Sequence, residues 1–495
     1  MQSRWAPWLG VSVFFALGGC ASGQATGGVL EAPWDDYRPY QAGLSREWRE
    51  LPAGLRQASV YHLELDVAED LSEVQGSLRI LYTNREASDL KAVGIFLFPN
   101  LIPGALVLHS VTADGLPIEP SYPRGRHLAS LTLSAPLPPE GRVELALEYT
   151  LAVPGGTDGV YGGLARNPGV LSLASACPVI PAVRAWQQEP PVPYGDFLAG
   201  EAAFFLASVT LPAGWELAAP GSMKARRTAE GGTRATVAVG PARDLYLAAV
   251  QGYSRRERRE GAVTVVSLAP RGAEPGAELA AETAALCLRS FQRRFGPYPY
   301  TRLTFVAAPF ASFGLEFPGI VLLAGRMYDL AGSEGGLPNR VLLESTAAHE
   351  TAHQWFYGLV GSDPQEEPWL DEAPAQYAAW LYYRDRYGET PAEGYFSSFE
   401  ARWARVQREP IPIGLPVRAY SPLEYGAIVY GRGPLFLAAL SQRMGEEAFG
   451  RLLAGYVRRW GWGLATAGDF LALAEETCNC PLAELARSWG ALSPR

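Results

Sequence analysis

The stretch TAAHETAHQWFYGLVGSDPQEEPWLDEAP (346–374) contains two of the five histidines of the chain, four positions apart, with a glutamate directly after the first. In a chain of this composition, His-acid-x-x-His arises by chance roughly 0.005 times. The surrounding segment NRVLLESTAAHETAHQWFYG predicts a helix over 339–358. On that helix His349 and His353 lie one turn apart on the same face, close enough to bind one metal ion. The alternative is an ordinary surface helix that contains this motif by chance.

The residues around the two histidines suggest a catalytic rather than a purely structural metal. Glu350 points about a quarter-turn away from the imidazoles, which suits a general base that acts on water beside the metal. A catalytic zinc takes three protein ligands and keeps one position open. The segment PWLDEAPAQYAAWLYY (368–383) predicts a second helix with Pro374 in its first turn. Glu372, at its start and separated from His353 by eighteen residues, is therefore the candidate third ligand.

Length and composition indicate a globular protein of more than one domain. At 495 residues the chain is too long for one compact core, and 48% of its residues are hydrophobic. A formal charge of −9 argues against binding to nucleic acid, which requires a basic surface.

The sequence pattern changes near the middle of the chain. Residues 55–250 contain alternating apolar and polar segments that predict a twisted antiparallel β-domain, a sandwich or saddle. From about 275 the apolar positions follow helical spacing, beginning with a predicted helix that ends at Gly296. We therefore predict a multidomain β then α+β protein, with a β-domain over 54–254 and a mostly helical domain over 255–495.

The N-terminus predicts export. One arginine, a short apolar run and Leu-Gly-Gly-Cys resemble a bacterial lipoprotein signal, with residues 1–19 removed and Cys20 lipidated. Residues 20–53 would then be a tether and lead-in. A plain secretory signal with an incidental cysteine is the alternative. The expected location is the bacterial cell envelope, at the periplasmic face of an outer membrane or the outer cell surface.

The remaining cysteines indicate little metal chemistry. Cys287 falls in a helical pattern and is expected to be a buried apolar residue. Cys478 and Cys480, in ETCNCPL, are compatible with a tight disulfide or a soft metal site, and a structural turn is the favoured interpretation.

Several separate blocks of the sequence resemble the aminopeptidase N-type zinc metallopeptidases, whose gluzincin signature is H-E-x-x-H followed by glutamate at this spacing. The two helices above match the zinc helices of that family, and FGLEFPGIVLL (313–323) matches its G-x-M-E-N block. RRFGPYPY (293–300) matches the lead-in to the catalytic domain, and the strands after residue 55 match its first β-domain. The resemblance covers roughly 55–480 and implies a thermolysin-like zinc-peptidase domain after the β-domain.

The resemblance implies one Zn²⁺ per chain and a role for each matching residue. The zinc ligands would be His349, His353 and Glu372, and Glu350 would be the general base. A tyrosine donates to the oxyanion in this family, and the matching position in EYGAIVYGRGPLFLAAL is Tyr430, with Tyr425 as the alternative.

The GLEFP block implies how the substrate is held. Glu316 would bind the free α-amine of a peptide, and Gly314 would let the substrate backbone approach an edge strand. The other interpretation of this block is a strand with a surface glutamate before a proline. For a second group on the amine, the β-domain offers only weak candidates, which are Gln187, Gln188 and Glu189.

The chain departs from the family pattern near the site. Asp371 and Ala373 replace Asn and Gly around Glu372, and Gly431 replaces the glutamate after the tyrosine. We expect a zinc-dependent aminopeptidase that acts on peptides. The alternatives are a zinc endopeptidase or other amide or ester hydrolase on the same site, and a non-enzymatic envelope lipoprotein that has kept the fold.

Overall fold

The computed structural model describes residues 28–102, 105–157, 163–187, 191–197 and 200–492. The predicted signal peptide and Cys20 lie outside these residues. In the described part, no helix combines the length and apolar character needed to cross a bilayer.

The N-terminal region is a β-structure preceded by two short helices. Its elements are α1 (Arg38–Gln41), α2 (Leu51–Gly54), β1 (Val60–Val67), β2 (Glu73–Thr83), β3 (Leu90–Phe96), β4 (Leu106–Ala113), β5 (Leu116–Pro117), β6 (Leu128–Leu137), β7 (Arg142–Ala152), β8 (Leu164–Asn167), β9 (Val170–Ala174), β10 (Ala203–Leu211), β11 (Glu216–Ala218), β12 (Ser222–Arg227), β13 (Thr233–Ala242) and β14 (Tyr246–Val250). Eight strands form one sheet in the order β12-β13-β10-β1-β2-β7-β4-β5, and β11-β14-β9-β8 form a second sheet.

Alternating side chains build the core between these sheets. In β7, Val143, Leu145 and Leu147 are buried while their neighbours are more exposed, as period-2 patterning requires. The sheet is not wholly antiparallel, because β1 pairs in parallel with β10, Leu63 opposite Ala207. A long connection through the second sheet separates these two strands, and such a crossover returns the chain in the same direction.

A five-stranded sheet opens the second region. Its strands are β15 (Tyr253–Glu260), β16 (Val263–Pro270), β17 (Arg302–Ala308), β18 (Gly314–Phe317) and β19 (Ile320–Ala324), in the order β15-β16-β17-β19-β18, followed by a small hairpin of β20 (Ser333–Glu334) and β21 (Leu337–Pro338). The edge strand β18, which contains the GLEF residues, pairs antiparallel with β19. The division at 254/255 stays a prediction, and it falls inside β15.

Helices dominate the rest of the chain. They are α3 (Glu274–Phe295), α4 (Asn339–Ala352), α5 (Trp369–Tyr387), α6 (Glu389–Ala404), α7 (Pro422–Ala427), a π-helical turn (Ile428–Arg432), α8 (Gly433–Met444), α9 (Glu446–Trp460), α10 (Ala467–Cys478) and α11 (Ala483–Trp489). The predicted end of α3 is confirmed, since Gly296 follows it with a φ of 108°. The Cys478 and Cys480 sulfurs are bonded, 2.15 Å apart, and Cys287 is buried without a bonded partner.

The two predicted zinc helices differ in detail from the sequence prediction. The first ends at Ala352, not at Gly358, and His353 is its C-cap. The chain turns here because Arg243, which follows β13, donates to the carbonyls of Tyr357 and Leu359. In the second helix Pro374 lies in the second turn, not the first.

Candidate active site

The two histidines of the H-E-x-x-H motif converge through their Nε2 atoms. His349 lies in the last turn of α4, and its Nε2 is 3.1 Å from Nε2 of His353. Nδ1 of His353 lies 3.0 Å from the carbonyl oxygen of Phe356. Because a carbonyl only accepts, His353 carries its proton on Nδ1 and presents the lone pair of Nε2.

The third predicted ligand reaches the same point from α5. Glu372 Oε2 is 3.1 Å from His349 Nε2 and 3.5 Å from His353 Nε2, and all three side chains are buried. Asp371 orients the first turn of this helix, because its Oδ1 accepts a hydrogen bond of 2.7 Å from the Glu372 backbone N–H. Asp371 stands where the family pattern has asparagine, and both side chains carry an oxygen that can accept a hydrogen bond.

These three donors fit a zinc ion. Zinc bound tetrahedrally at 2.0–2.2 Å separates its ligand atoms by about 3.3–3.6 Å, close to the three distances found here. Glu372 Oε2 is buried against the Nε2 atoms of both histidines, so a cation between the three atoms would satisfy all of them. A second possible metal cluster consists of Glu316, Glu350 and His353. A metal ion there would face Nδ1 of His353, which already donates to the Phe356 carbonyl oxygen.

Burial and mutual contacts set the charge state of the cluster. Burial opposes ionisation of Glu372, but hydrogen bonds and positive charge from His349 and His353 outweigh burial and hold its pKa far below the usual range. Burial lowers the pKa of His349, whereas for His353 the carboxylates of Glu316 and Glu372 outweigh burial and raise the pKa well above its usual value. Zinc binds a carboxylate and a neutral imidazole, so its binding would displace the proton from Nε2 of His353.

Glu350 lies beside the triad and not within it. Burial, reinforced by the negative charge of Glu316, raises the pKa of the Glu350 carboxyl well above its usual range. Glu316 Oε1 lies 3.9 Å from His353 Nδ1, so the GLEF glutamate is buried against the site and not on the surface. Gly314 is on the edge strand, and a Cβ at that position would overlap the Glu350 carboxylate.

Tyr430, not Tyr425, contacts the triad. It lies in the π-helical turn, and its hydroxyl donates a hydrogen bond to Glu372 Oε1. Burial and the charge of Glu372 raise its pKa well above the usual range, which keeps the phenol protonated as a donor. The Tyr425 ring packs edge-on at 5.7 Å from the Tyr430 ring.

Close packing explains why position 431, which departs from the family pattern, is a glycine. A Cβ at this position would lie 2.8 Å from the Phe399 carbonyl oxygen and 2.9 Å from the Arg402 Cβ. The π-helical turn therefore packs directly on α6, and no side chain fits between them.

Sequence analysis missed one acidic residue. Asp196 lines the same cavity as Glu316 and Glu372, and burial together with the charges of both glutamates raises its pKa well above the usual range. Only its place between Gly195 and Phe197 in a proline-rich loop could have drawn attention to it. The candidates Gln188 and Glu189 lie outside the described residues, and nothing is described of the Gln187 side chain.

The site opens into a cavity of about 420 Å³. Its walls carry His349 and Glu372, two of the three converging side chains, together with Glu350 and Glu316. This volume lies in the range that suits a small organic ligand or a short peptide.

Comparisons with known proteins agree with this geometry. Residues 279–489 match the peptidase family M1 domain. Aminopeptidase 2 from Candida albicans is 28% identical over 227 residues, which cover 44% of this chain and 24% of that protein. Probable aminopeptidase 2 from Sulfurisphaera tokodaii is 25% identical over 253 residues, which cover 50% of this chain and 32% of that protein. The match thus spans a third or less of these relatives.

One solved structure covers nearly the whole chain. It is an M1 zinc metallopeptidase mutant from Deinococcus radiodurans bound to a Tyr-Ser-Ala substrate, with a TM-score of 0.64 and 21% identity. The alignment covers 89% of this chain and 96% of that one. The two proteins share the fold.

Proposed function

Since residues 279–489 belong to peptidase family M1, we propose that this protein is a zinc-dependent aminopeptidase that removes N-terminal residues from peptides. One observation carries the proposal. The side-chain donors of His349, His353 and Glu372 meet within 3.1–3.5 Å of one another, with a buried carboxylate, Glu350, beside them. The names of the M1 relatives and the tripeptide bound to the Deinococcus protein support a peptide as substrate.

The residues of this chain divide the chemistry between them. When bound by His349, His353 and Glu372, zinc supplies Lewis acidity toward the scissile carbonyl and a water molecule. Glu350, whose pKa is raised by burial and by the negative charge of Glu316, takes the proton from the attacking water and delivers it to the leaving amine. The Tyr430 hydroxyl donates to the oxygen on which negative charge develops.

The acidic end of the cavity accounts for exopeptidase activity. Glu316 and Asp196 both line it, and the negative charge of Glu316 adds to burial in raising the pKa of Asp196 and of Glu350. A protonated α-amine placed here gains charge-assisted hydrogen bonds, whereas an acylated N-terminus does not. Free N-termini are therefore the expected substrates.

The decisive experiment pairs zinc content with hydrolysis of an aminoacyl fluorogenic amide and its N-acetylated form, on wild type and Glu350→Gln. We expect one zinc per chain and cleavage of only the free-amine substrate, with turnover lost in the variant. Cleavage of both substrates would instead indicate an endopeptidase or a general amide hydrolase. Absence of zinc and of turnover would favour a non-enzymatic envelope lipoprotein.

We also propose that the protein is attached to the bacterial cell envelope through a lipid on Cys20, after removal of residues 1–19. The sequence of the N-terminus supports this. Metabolic labelling with a radioactive fatty acid tests it. Wild type should carry the label and fractionate with membranes, and Cys20→Ser should do neither. An unlabelled wild-type protein would indicate a plain secretory signal.

A further inference from the structure

Two arginines of α6 and the turn after it stand out in a cavity that is otherwise acidic. Arg402 and Arg405 line the same cavity as Glu316 and Glu350. Arg402 Nη1 donates to Ser398 Oγ at 2.9 Å, and among the described residues Arg402 forms no ion pair. The Arg405 side chain is exposed and makes no hydrogen bond or ion pair within the described part of the chain. Both positive charges are therefore available to a ligand.

The packing of α6 holds the first arginine near the reacting groups. A Cβ added to Gly431 would lie 2.9 Å from the Arg402 Cβ, and Gly431 directly follows Tyr430. Arg402 therefore packs against the turn that carries the proposed oxyanion donor, Tyr430.

We propose that Arg402 and Arg405 bind a carboxylate on the leaving part of the substrate, so that the enzyme prefers short peptides with a free C-terminus. This inference rests on the proposed aminopeptidase function. A guanidinium pairs with a carboxylate through parallel N–H donors, and the glutamates of the same cavity attract the ammonium group. A cavity of about 420 Å³ whose lining carries both positive and negative side chains matches a short zwitterionic peptide.

The test compares four peptides, each beginning with leucine and followed by fluorescence detection of the released amino group. They are Leu-Ala-Ala as free acid, Leu-Ala-Ala amide, Leu-Glu-Ala amide and Leu-Gln-Ala amide. For wild type we expect kcat/KM for the free acid to exceed that for its amide about ten-fold, the scale of a charge-assisted hydrogen bond. A preference for Leu-Glu-Ala amide over Leu-Gln-Ala amide would instead identify an acidic side chain as the source of the carboxylate.

The variants assign the effect to the two arginines. We expect the single variant Arg405→Gln to lose the preference for a carboxylate, and the double variant Arg402→Gln/Arg405→Gln to lose it too. Zinc content and Tm should stay unchanged in both. The exposed Arg405 alone provides a variant that should not affect folding. Arg408→Gln is the matched control, because Arg408 is close in sequence, does not line the cavity and lies 4.0 Å from Glu400. It should keep the preference.

A binding measurement separates this inference from the proposed function. In the Glu350→Gln background, calorimetry should show the free-acid tripeptide binding about ten-fold more tightly than its amide, and the two arginine substitutions should remove that difference. Equal binding and equal turnover of acid and amide would overturn the arginine proposal and leave the aminopeptidase intact. Absence of any peptide turnover, with the binding difference retained, would overturn the proposed function alone.

Discussion

Gly314 lies so close to Glu350 that no side chain fits between them, because a Cβ built on the glycine would overlap the Glu350 carboxylate. Gly314 is on the edge strand β18, which pairs with β19, and Glu350 is on α4. The strand therefore sets the position of the proposed base. The GLEFP block and the H-E-x-x-H motif, which are far apart in the sequence, therefore contact each other in the fold.

We expect Gly314→Ala to lower kcat about 100-fold while zinc content is retained. The added methyl group displaces the base, and a shift of about 1 Å in a catalytic group costs on this order. The three atoms nearest to the added methyl group all belong to Glu350 and not to the proposed zinc ligands His349 and His353. Steady-state kinetics and atomic emission on the same preparation measure both quantities.

Gly394→Ala is the matched control, since Gly394 is on α6 and a Cβ there has no atom within 4 Å. It should keep the wild-type kcat. An unchanged kcat in Gly314→Ala would mean that Glu350 is not the base or that the strand yields freely.

We expect Tyr430→Phe to lower kcat by a factor of about 100–1,000, the usual cost of losing one oxyanion donor. KM and zinc content should change little, because Glu372 keeps its contacts with both histidines. Tyr425→Phe removes a hydroxyl from the neighbouring ring without touching Glu372. A larger loss in that variant than in Tyr430→Phe would transfer the role of donor to Tyr425.

Short-range spacing predicted the central part of this site, and long-range packing decided the rest. His349 and His353 are one turn apart on any helix, so the sequence suffices to place them together. The end of that helix depends on Arg243, more than one hundred residues earlier in the chain, and no local pattern at Gly358 reveals it. Asp196 likewise joins the site only through the fold of its loop.

The departures from the family pattern show the same limit. At the sequence level Gly431 was only a departure from the family pattern, whereas its close approach to Arg402 and Phe399 gives it a packing role. The parallel pairing of β1 with β10 was also unpredictable, because strand direction within a sheet depends on the whole connection between the strands.

The buried Asp244 predicts a pH dependence of stability. Burial raises its pKa from 3.8 to about 6, although Ser175 and the Leu245 N–H donate hydrogen bonds to it. The folded state therefore binds more protons than the unfolded state between pH 4 and 6, so stability falls as pH rises through this window. The loss is on the order of 3 kcal/mol and is complete above about pH 6.

Asp244→Asn isolates this effect, since the amide has the same shape and does not ionise. Urea denaturation gives the free energy of unfolding of the variant and of wild type at each pH. We expect the value for the variant minus that for wild type to increase from pH 4 to 6 and then to level off. A difference between variant and wild type that does not change with pH would show that Asp244 keeps an ordinary pKa in the fold.

Arg243 connects the β-domain to the metal site. Its buried guanidinium donates to four backbone carbonyls, those of Gly200, Tyr357, Leu359 and Gly463. Two of these belong to the turn that follows His353. The same turn supplies the Phe356 carbonyl that accepts from His353 Nδ1.

We therefore expect Arg243→Met to loosen the turn and weaken zinc binding about ten-fold or more, as losses of partners that orient a metal ligand generally do. Four backbone carbonyls would lose a donor, which also lowers stability by at least about 3 kcal/mol. Hydrogen exchange of residues 356–361 and zinc competition with a chelator measure the two effects. Arg234→Met, at the half-buried start of β13, is the control and should change neither. Wild-type exchange and wild-type zinc affinity in Arg243→Met would mean that the turn is held by its own backbone bonds, such as the one from the Gly358 N–H to the His353 carbonyl.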